Sequence, residues 1–198
     1  MEILATEKDF TVNIWRAFNE IDPNWKNYKG LVIGGTHSPE RKDVEMKIER
    51  IKEARENNIP FLGICAGFEW CILEYARNVL GLKEADTQEL NPNTPIPIIE
   101  KMPELRVGQK QVILYGQFTV QSFWHNYKMN LKYLPLFAKD WIWSVNQGEE
   151  IVDYMIYKPH WFFFISQFHP EYQSSKNNPH IILKDFLEAA KIWTRKFN

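Results

Sequence analysis

Two short apolar runs, each closed by small residues and each followed by a helix-length segment, constrain this chain more than any other feature. Leu31-Val32-Ile33-Gly34-Gly35 precedes a charged amphipathic stretch from Glu40 to Asn57. Ile59-Pro60-Phe61-Leu62-Gly63-Ile64 precedes a second helical stretch from Phe68 to Leu80, with Gly81 near its end. Runs without polar alternation belong to strands buried on both faces, as in a parallel sheet. Strand, helix, strand, helix then demands crossover connections and a layered α/β fold. Ahead of them, Ile3 to Ala5 reads as a short strand. The next segment places Phe10, Ile14, Phe18 and Ile21 on one helical face, and Pro23-Asn24 ends that helix.

The second half is organised differently. A proline-rich loop from Asn91 to Pro103 leads to shorter extended segments at Gln111 to Gly116, Phe118 to Phe123, Trp141 to Val145 and Ile151 to Tyr157. A turn at Asn146-Gln147-Gly148 makes the last two a hairpin. Phe162 to Phe168 forms a further apolar strand, and the chain closes with a helix capped by Asn178 with Pro179 at its first position. The reading is one α/β domain over residues 1–198 with a small antiparallel insert. At 44% hydrophobic and 25% charged residues, the 198-residue chain can bury one ordinary core. A net charge of −1 gives no electrostatic reason for nucleic acid or an anionic membrane as partner. Met1 to Phe10 lacks the apolar stretch of a signal peptide, no window of about 18 apolar residues occurs, and two cysteines make no disulfide framework. A cytoplasmic location is the expectation.

The chemistry concentrates at two places. Gly63-Ile64-Cys65-Ala66-Gly67 lies between a strand and a helix, where flanking glycines permit the sharp turn that projects one side chain. A cysteine there feels the positive end of the helix dipole, which favours thiolate, the attacking species. Cys71 lacks this context and reads as core. Far downstream, Gln167-Phe168-His169-Pro170-Glu171 follows an apolar strand. A thiol nucleophile needs an imidazole to take and return its proton, and the imidazole needs a carboxylate to fix its tautomer. Residues two apart in extended chain do not face each other, so Pro170 must bend the segment for Glu171 to reach His169. His37, His125, His160, His169 and His180 show no metal-ligand spacing such as His-Glu-x-x-His, and no metal is expected.

Together, Gly-Ile-Cys-x-Gly and Phe-His-Pro-Glu resemble the class I, or triad, glutamine amidotransferases. Glu74-Tyr75-Ala76-Arg77-Asn78-Val79-Leu80-Gly81-Leu82 and Ala85-Asp86-Thr87-Gln88-Glu89 are similar in particular to the glutaminase domain of CTP synthase and to stand-alone proteins related to that region. The resemblance implies a three-layer, flavodoxin-like domain with a mostly parallel central sheet and no cofactor. It implies that Cys65 attacks the side-chain amide of glutamine or a γ-glutamyl-like amide, that His169 protonates the departing ammonia and that Glu171 orients His169. Backbone N–H groups of Ala66 and of the Gly34-Gly35 loop, at Gly35, would hold the oxyanion. Glu69 stands where the family has a glutamine along the substrate, Glu89 matches a glutamate that meets the α-ammonium, and His125 and Tyr127 fall in a pocket-lining segment.

Three departures accompany the resemblance. Asn126 occupies the place of an arginine that meets the substrate α-carboxylate, and a neutral amide cannot form that bidentate pair. A cation recruited from elsewhere, such as Lys128 or Arg106, would restore recognition of free glutamine. The N-terminal region is short, so one sheet edge is trimmed, and a second subunit could cover it as a homodimer. The chain carries no synthetase domain and no phosphate-binding Gly-Lys-Ser/Thr loop, so ammonia would go to a separate synthase. A catalytically idle module that binds a metabolite or partner is the alternative that the missing arginine permits.

Overall fold

Alternation along the short buried strands sets the layering. Successive side chains of a strand point to opposite faces, and the apolar runs divide accordingly. Leu31, Ile33, Phe61, Phe163 and Ile165 pack on one side with Val44, Ile48, Phe68 and Ile72. Val32, Leu62, Ile64 and Phe164 pack on the other with Ile14, Phe18, Leu183 and Phe186. Helices therefore cover both faces of one sheet, the three-layer α/β arrangement expected.

The computed structural model describes residues 1–4, 8–146 and 148–197. In chain order the elements are β1 (Glu2–Leu4), α1 (Lys8–Ile21), β2 (Leu31–Ile33), α2 (Arg41–Glu56), β3 (Phe61–Ile64), α3 (Ala66–Asn78) and β4 (Ala85–Thr87). They continue with β5 (Ile96–Leu114), β6 (Gln117–Met129), β7 (Trp141–Asn146), β8 (Ile151–Tyr157), β9 (Phe163–Ser166), α4 (Pro170–Gln173) and α5 (Ile181–Phe197). The central sheet runs β1-β2-β3-β9-β8-β7. Its first four strands are parallel, and β8 and β7 join as an antiparallel hairpin. The three-residue β1 forms the trimmed edge, pairing with β2. Ala5 and Gln147, which the sequence reading placed in the first strand and in the hairpin turn, lie outside the described residues. Among the described residues no helix is long and apolar enough to cross a membrane.

Two expectations fail. The segment read as a proline-rich loop from Asn91 to Pro103 is largely strand: β5 starts at Ile96 and pairs with β6 as one long hairpin. The segments read separately at Gln111 to Gly116 and Phe118 to Phe123 are its tip. Pro97 and Pro103 sit at register irregularities, between Asp86 and Thr87 on the β4 side and between Lys101 and Arg106 on the β6 side. Bulges are where a missing N–H is tolerated in a sheet. The hairpin turns at Tyr115 (φ 50°) and Gly116 (φ 79°), the two positive φ values that a two-residue primed turn requires. Secondly, Asn178 does not cap the last helix. It is bridged to Ser175, and α5 begins at Ile181. His180 does the capping, its ring Nδ1 accepting from the Ile182 N–H at 3.3 Å.

Candidate active site

Sterics make the turn at Cys65. Its φ of 56° and ψ of −109° lie where a side chain costs about 1–3 kcal/mol. The surrounding main chain holds it there: the Cys65 N–H donates to the Ser166 carbonyl at 2.7 Å, and the Cys65 carbonyl accepts from Phe68 at 2.9 Å. The glycines on either side are needed for close approach. A Cβ on Gly67 would stand 2.1 Å from the Ile33 carbonyl oxygen, and one on Gly63 would stand 2.7 Å from the Gly67 carbonyl oxygen. The thiol thus sits at the N-terminus of α3, whose first N–H groups have no intrahelical partner. Ala66 opens that helix. In this geometry the Cys65 thiol donates to the Trp124 carbonyl at 3.4 Å.

The imidazole comes from the end of β9. The His169 N–H donates to the Ser122 carbonyl of β6 at 2.8 Å, which ties this loop to the second sheet. Pro170 takes the first position of the one-turn helix α4 and so bends the chain as required. Glu171 turns back, and its Oε1 accepts from His169 Nδ1 at 2.8 Å with both side chains fully buried. The ring is clamped between Phe10, at 5.5 Å between centroids, and Tyr172, at 5.0 Å. Burial opposes charge on His169, but Glu171 and Cys65 outweigh it and push its pKa up to about 10. With Nδ1 engaged by Glu171, Nε2 is the nitrogen left to exchange a proton, a donor while the ring is charged and an acceptor once it is neutral, and this buried atom has no hydrogen-bond partner.

A cavity of about 280 Å³ opens beside the thiol. Of the residues expected at the site, Cys65, Ala66, Glu69, Glu89, His125, Asn126 and Tyr127 line it. Gly35 does not. It is buried behind the imidazole, where a Cβ would meet Phe10 Cζ at 3.2 Å and His169 Cε1 at 3.4 Å. Thr36 and His37 form the wall on that side, with Leu105 and Trp124 on the other. His37 packs on Phe10 at 5.1 Å and edge-on to Trp124 at 6.0 Å between centroids. These four residues escaped the sequence reading. Thr36 and His37 directly follow Gly34-Gly35 and were within reach of the reasoning applied there.

The cavity is acidic. Burial, reinforced by Glu89 and opposed by Gln167, holds the Glu69 carboxyl well above the usual range. Burial pushes Glu89 up to about 7. It also pushes His125 down to about 4, although the ring donates from Nδ1 to the Tyr127 carbonyl at 2.8 Å. The cations that could have replaced the missing arginine are engaged elsewhere. Arg106 is buried against Asp153 at 3.0 Å and Glu149 at 2.7 Å, over the Phe123 ring. Lys128 reaches Glu100 at 3.7 Å and the Glu150 carbonyl at 3.4 Å. No lysine or arginine is among the described residues lining the cavity.

The chain is similar to known proteins over most of its length. CTP synthase of Cytophaga hutchinsonii is 37% identical over 191 residues, covering 84% of this chain and 35% of the relative. CTP synthase of Sulfolobus acidocaldarius is 41% identical over 168 residues, covering 74% of this chain and 32% of the relative. The chain thus spans about a third of the length of these curated relatives. The glutaminase domain of Trypanosoma brucei CTPS, solved with bound acivicin, superposes with a TM-score of 0.84 at 19% identity, covering 96% of this chain and 93% of that one. A glutamine amidotransferase from Thermotoga maritima superposes at 0.55 with 16% identity, covering 100% and 86%. At such identities the superpositions establish the fold. Residues 4–189 match the family described as Glutamine amidotransferase class-I, and the chain belongs to that family.

Proposed function

We propose that this chain is a cysteine-dependent amidohydrolase that hydrolyses the side-chain amide of glutamine or a γ-glutamyl-like amide and releases ammonia. The observation that carries the reading is the buried His169, fixed by Glu171 through Nδ1, with an unpartnered Nε2 and with Cys65 among the groups acting on its charge. Cys65 Sγ attacks the amide carbon while its proton passes to His169 Nε2. Glu171 stabilises the resulting imidazolium. N–H groups at the start of α3, that of Ala66 first, would hold the oxygen that gains charge. The C–N bond breaks as His169 returns the proton to the departing nitrogen, leaving a thioester and ammonia. Water, deprotonated by His169, then attacks the thioester and frees the acid and the thiol.

The synthases among the relatives support a route for the product. By that likeness, ammonia released here would pass to an ammonia-accepting synthase. An idle binding module is the weaker reading, because the buried His169–Glu171 pair costs desolvation without return unless a proton is moved. Ammonia release and trapping of an acyl-enzyme by mass spectrometry test the proposal. Cys65→Ala should abolish both while leaving the fold intact, and full hydrolysis by that variant would refute the mechanism.

A further inference from the structure

We propose that the cavity beside Cys65 selects a glutamine unit whose α-ammonium is free and whose α-carboxyl group is masked in an amide linkage, the ammonium being shared by Glu69 and Glu89. This rests on the amide-hydrolysing reading above and narrows its substrate class.

Charge comes first. Among the described residues, the carboxylic acids on the cavity wall are Glu69 and Glu89, and no lysine or arginine lines it. A free α-carboxylate entering here would lose water beside two acids and find no cation, a placement that buried charge does not tolerate. An ammonium would find two partners.

Hydrogen-bond bookkeeping points the same way. Glu69 is 3% exposed, and its Oε2 is buried without a partner. His125 is 4% exposed, and its Nε2 is also buried without one. Because Nδ1 donates to the Tyr127 carbonyl and the ring is neutral, Nε2 is an acceptor. The wall therefore presents an imidazole nitrogen and a carboxyl group that gains from meeting a cation. An ammonium supplies three donors and no acceptor, whereas a carboxylate supplies acceptors alone. Without ligand, burial leaves both carboxyls prone to hold a proton. An incoming ammonium reverses that preference and displaces the proton.

Neutral groups stand where the rest of the ligand must lie. Asn126 is exposed and offers one amide donor and one amide acceptor, a match for the carbonyl and N–H of an amide-linked α-carboxyl group. Beyond it, Leu105 and Trp124 are about half exposed at 47% and 52%, giving an apolar rim over which a masking group can extend.

Three compounds decide the matter: L-glutamine, L-glutamine α-N-methylamide, and its Nα-acetyl derivative. In each, ammonia can come only from the side-chain amide. The methylamide should be hydrolysed with a kcat/KM roughly 10- to 100-fold above that of glutamine, the scale set by leaving a buried group unpaired. Acetylation should remove most of that rate, and Glu69→Gln should narrow the preference for the methylamide over glutamine. Glutamine used as well as the methylamide, or an acetylated compound used equally well, overturns the inference and leaves amide hydrolysis standing. Release of ammonia from none of the three, with no acyl-enzyme on Cys65, overturns both.

Discussion

Replacing Gly67 by alanine tests whether close packing of α3 on the sheet is what aims the thiol. The added Cβ would lie 2.1 Å from the Ile33 carbonyl oxygen and 2.9 Å from its carbon. Ordinary C···O contacts fall near ~3.3 Å, so helix and strand must part by about 1 Å. The obstacle is main chain on both sides and cannot rotate away. Overpacking of this kind costs about 1–3 kcal/mol, and a rigid obstacle places the variant at the upper end. In a domain of this size that corresponds to a fall in Tm of roughly 5–10 °C. Cys65 and Ala66 ride on the same first turn, and a displacement of about 1 Å at a reacting centre costs on the order of 100-fold in rate. Thermal unfolding and ammonia release at saturating amide should therefore both suffer in Gly67→Ala. Gly81→Ala is the control, because Gly81 has φ 73° with nothing within 4 Å of an added Cβ. It should cost about 1–2 kcal/mol of backbone strain and leave kcat unchanged. A Gly67→Ala protein with wild-type Tm and wild-type kcat would show that this contact does not fix the elbow.

Three further outcomes follow from the electrostatics. Glu171→Gln removes the charge that helps hold the His169 pKa up at about 10. It should lower kcat by roughly 100- to 10,000-fold and slow iodoacetamide alkylation of Cys65 near neutral pH, because the positive charge on His169 that favours the attacking sulfur is lost at lower pH; an unaltered alkylation profile would contradict this. Glu89, pushed up to about 7 by burial, faces Glu69 and the Tyr127 phenol and binds an ammonium as carboxylate. KM for an ammonium-bearing amide should fall as pH rises from about 5.5 to 7, below the α-amino pKa of about 7.7–8.0, and the trend should flatten in Glu89→Gln, which steady-state kinetics over that range check. Arg106→Met strands Asp153, whose pKa burial already raises to about 6 against the pull of Arg106. Loss of the cation raises it further in the folded state, so the cost, about 3–5 kcal/mol at pH 8, should shrink at pH 5 where Asp153 takes up a proton. Urea unfolding at the two pH values reads that difference.

Features set by neighbours in sequence could be read from the residues. Gly63, Cys65 and Gly67 encode the strand-to-helix turn, since each acts within one turn of chain, and Pro170 encodes the bend that brings Glu171 onto His169. Features set by distant chain could not. Pro97 and Pro103 suggested a loop because a proline breaks a ladder, but both fall at irregularities whose positions depend on how β4 and β6 meet β5. Asn178 is a good cap by residue type, yet its pairing with Ser175 leaves His180 to start the helix. Gly35 shows the same limit at the site itself. A Cβ there would meet Phe10, from α1, and the His169 ring, both contributed by distant chain.

That division bears on function. The machinery assigned to breaking the amide bond depends on two local turns, and both were written in short contiguous motifs. Recognition would depend on what five separated segments place around the cavity: Thr36 and His37 after β2, Glu69 in α3, Glu89 after β4, Leu105 in β5, and Trp124 to Tyr127 in β6. Substituting Asn126 could be noticed from the sequence, but its consequence turned on where Arg106 and Lys128 point. Arg106 is committed to Asp153 and Glu149 behind the hairpin, and Lys128 lies over Glu100. With both cations spent outside the cavity, Glu69 and Glu89 face it without a basic partner among its described lining residues, and that is the ground on which the proposed preference for an ammonium-bearing amide stands.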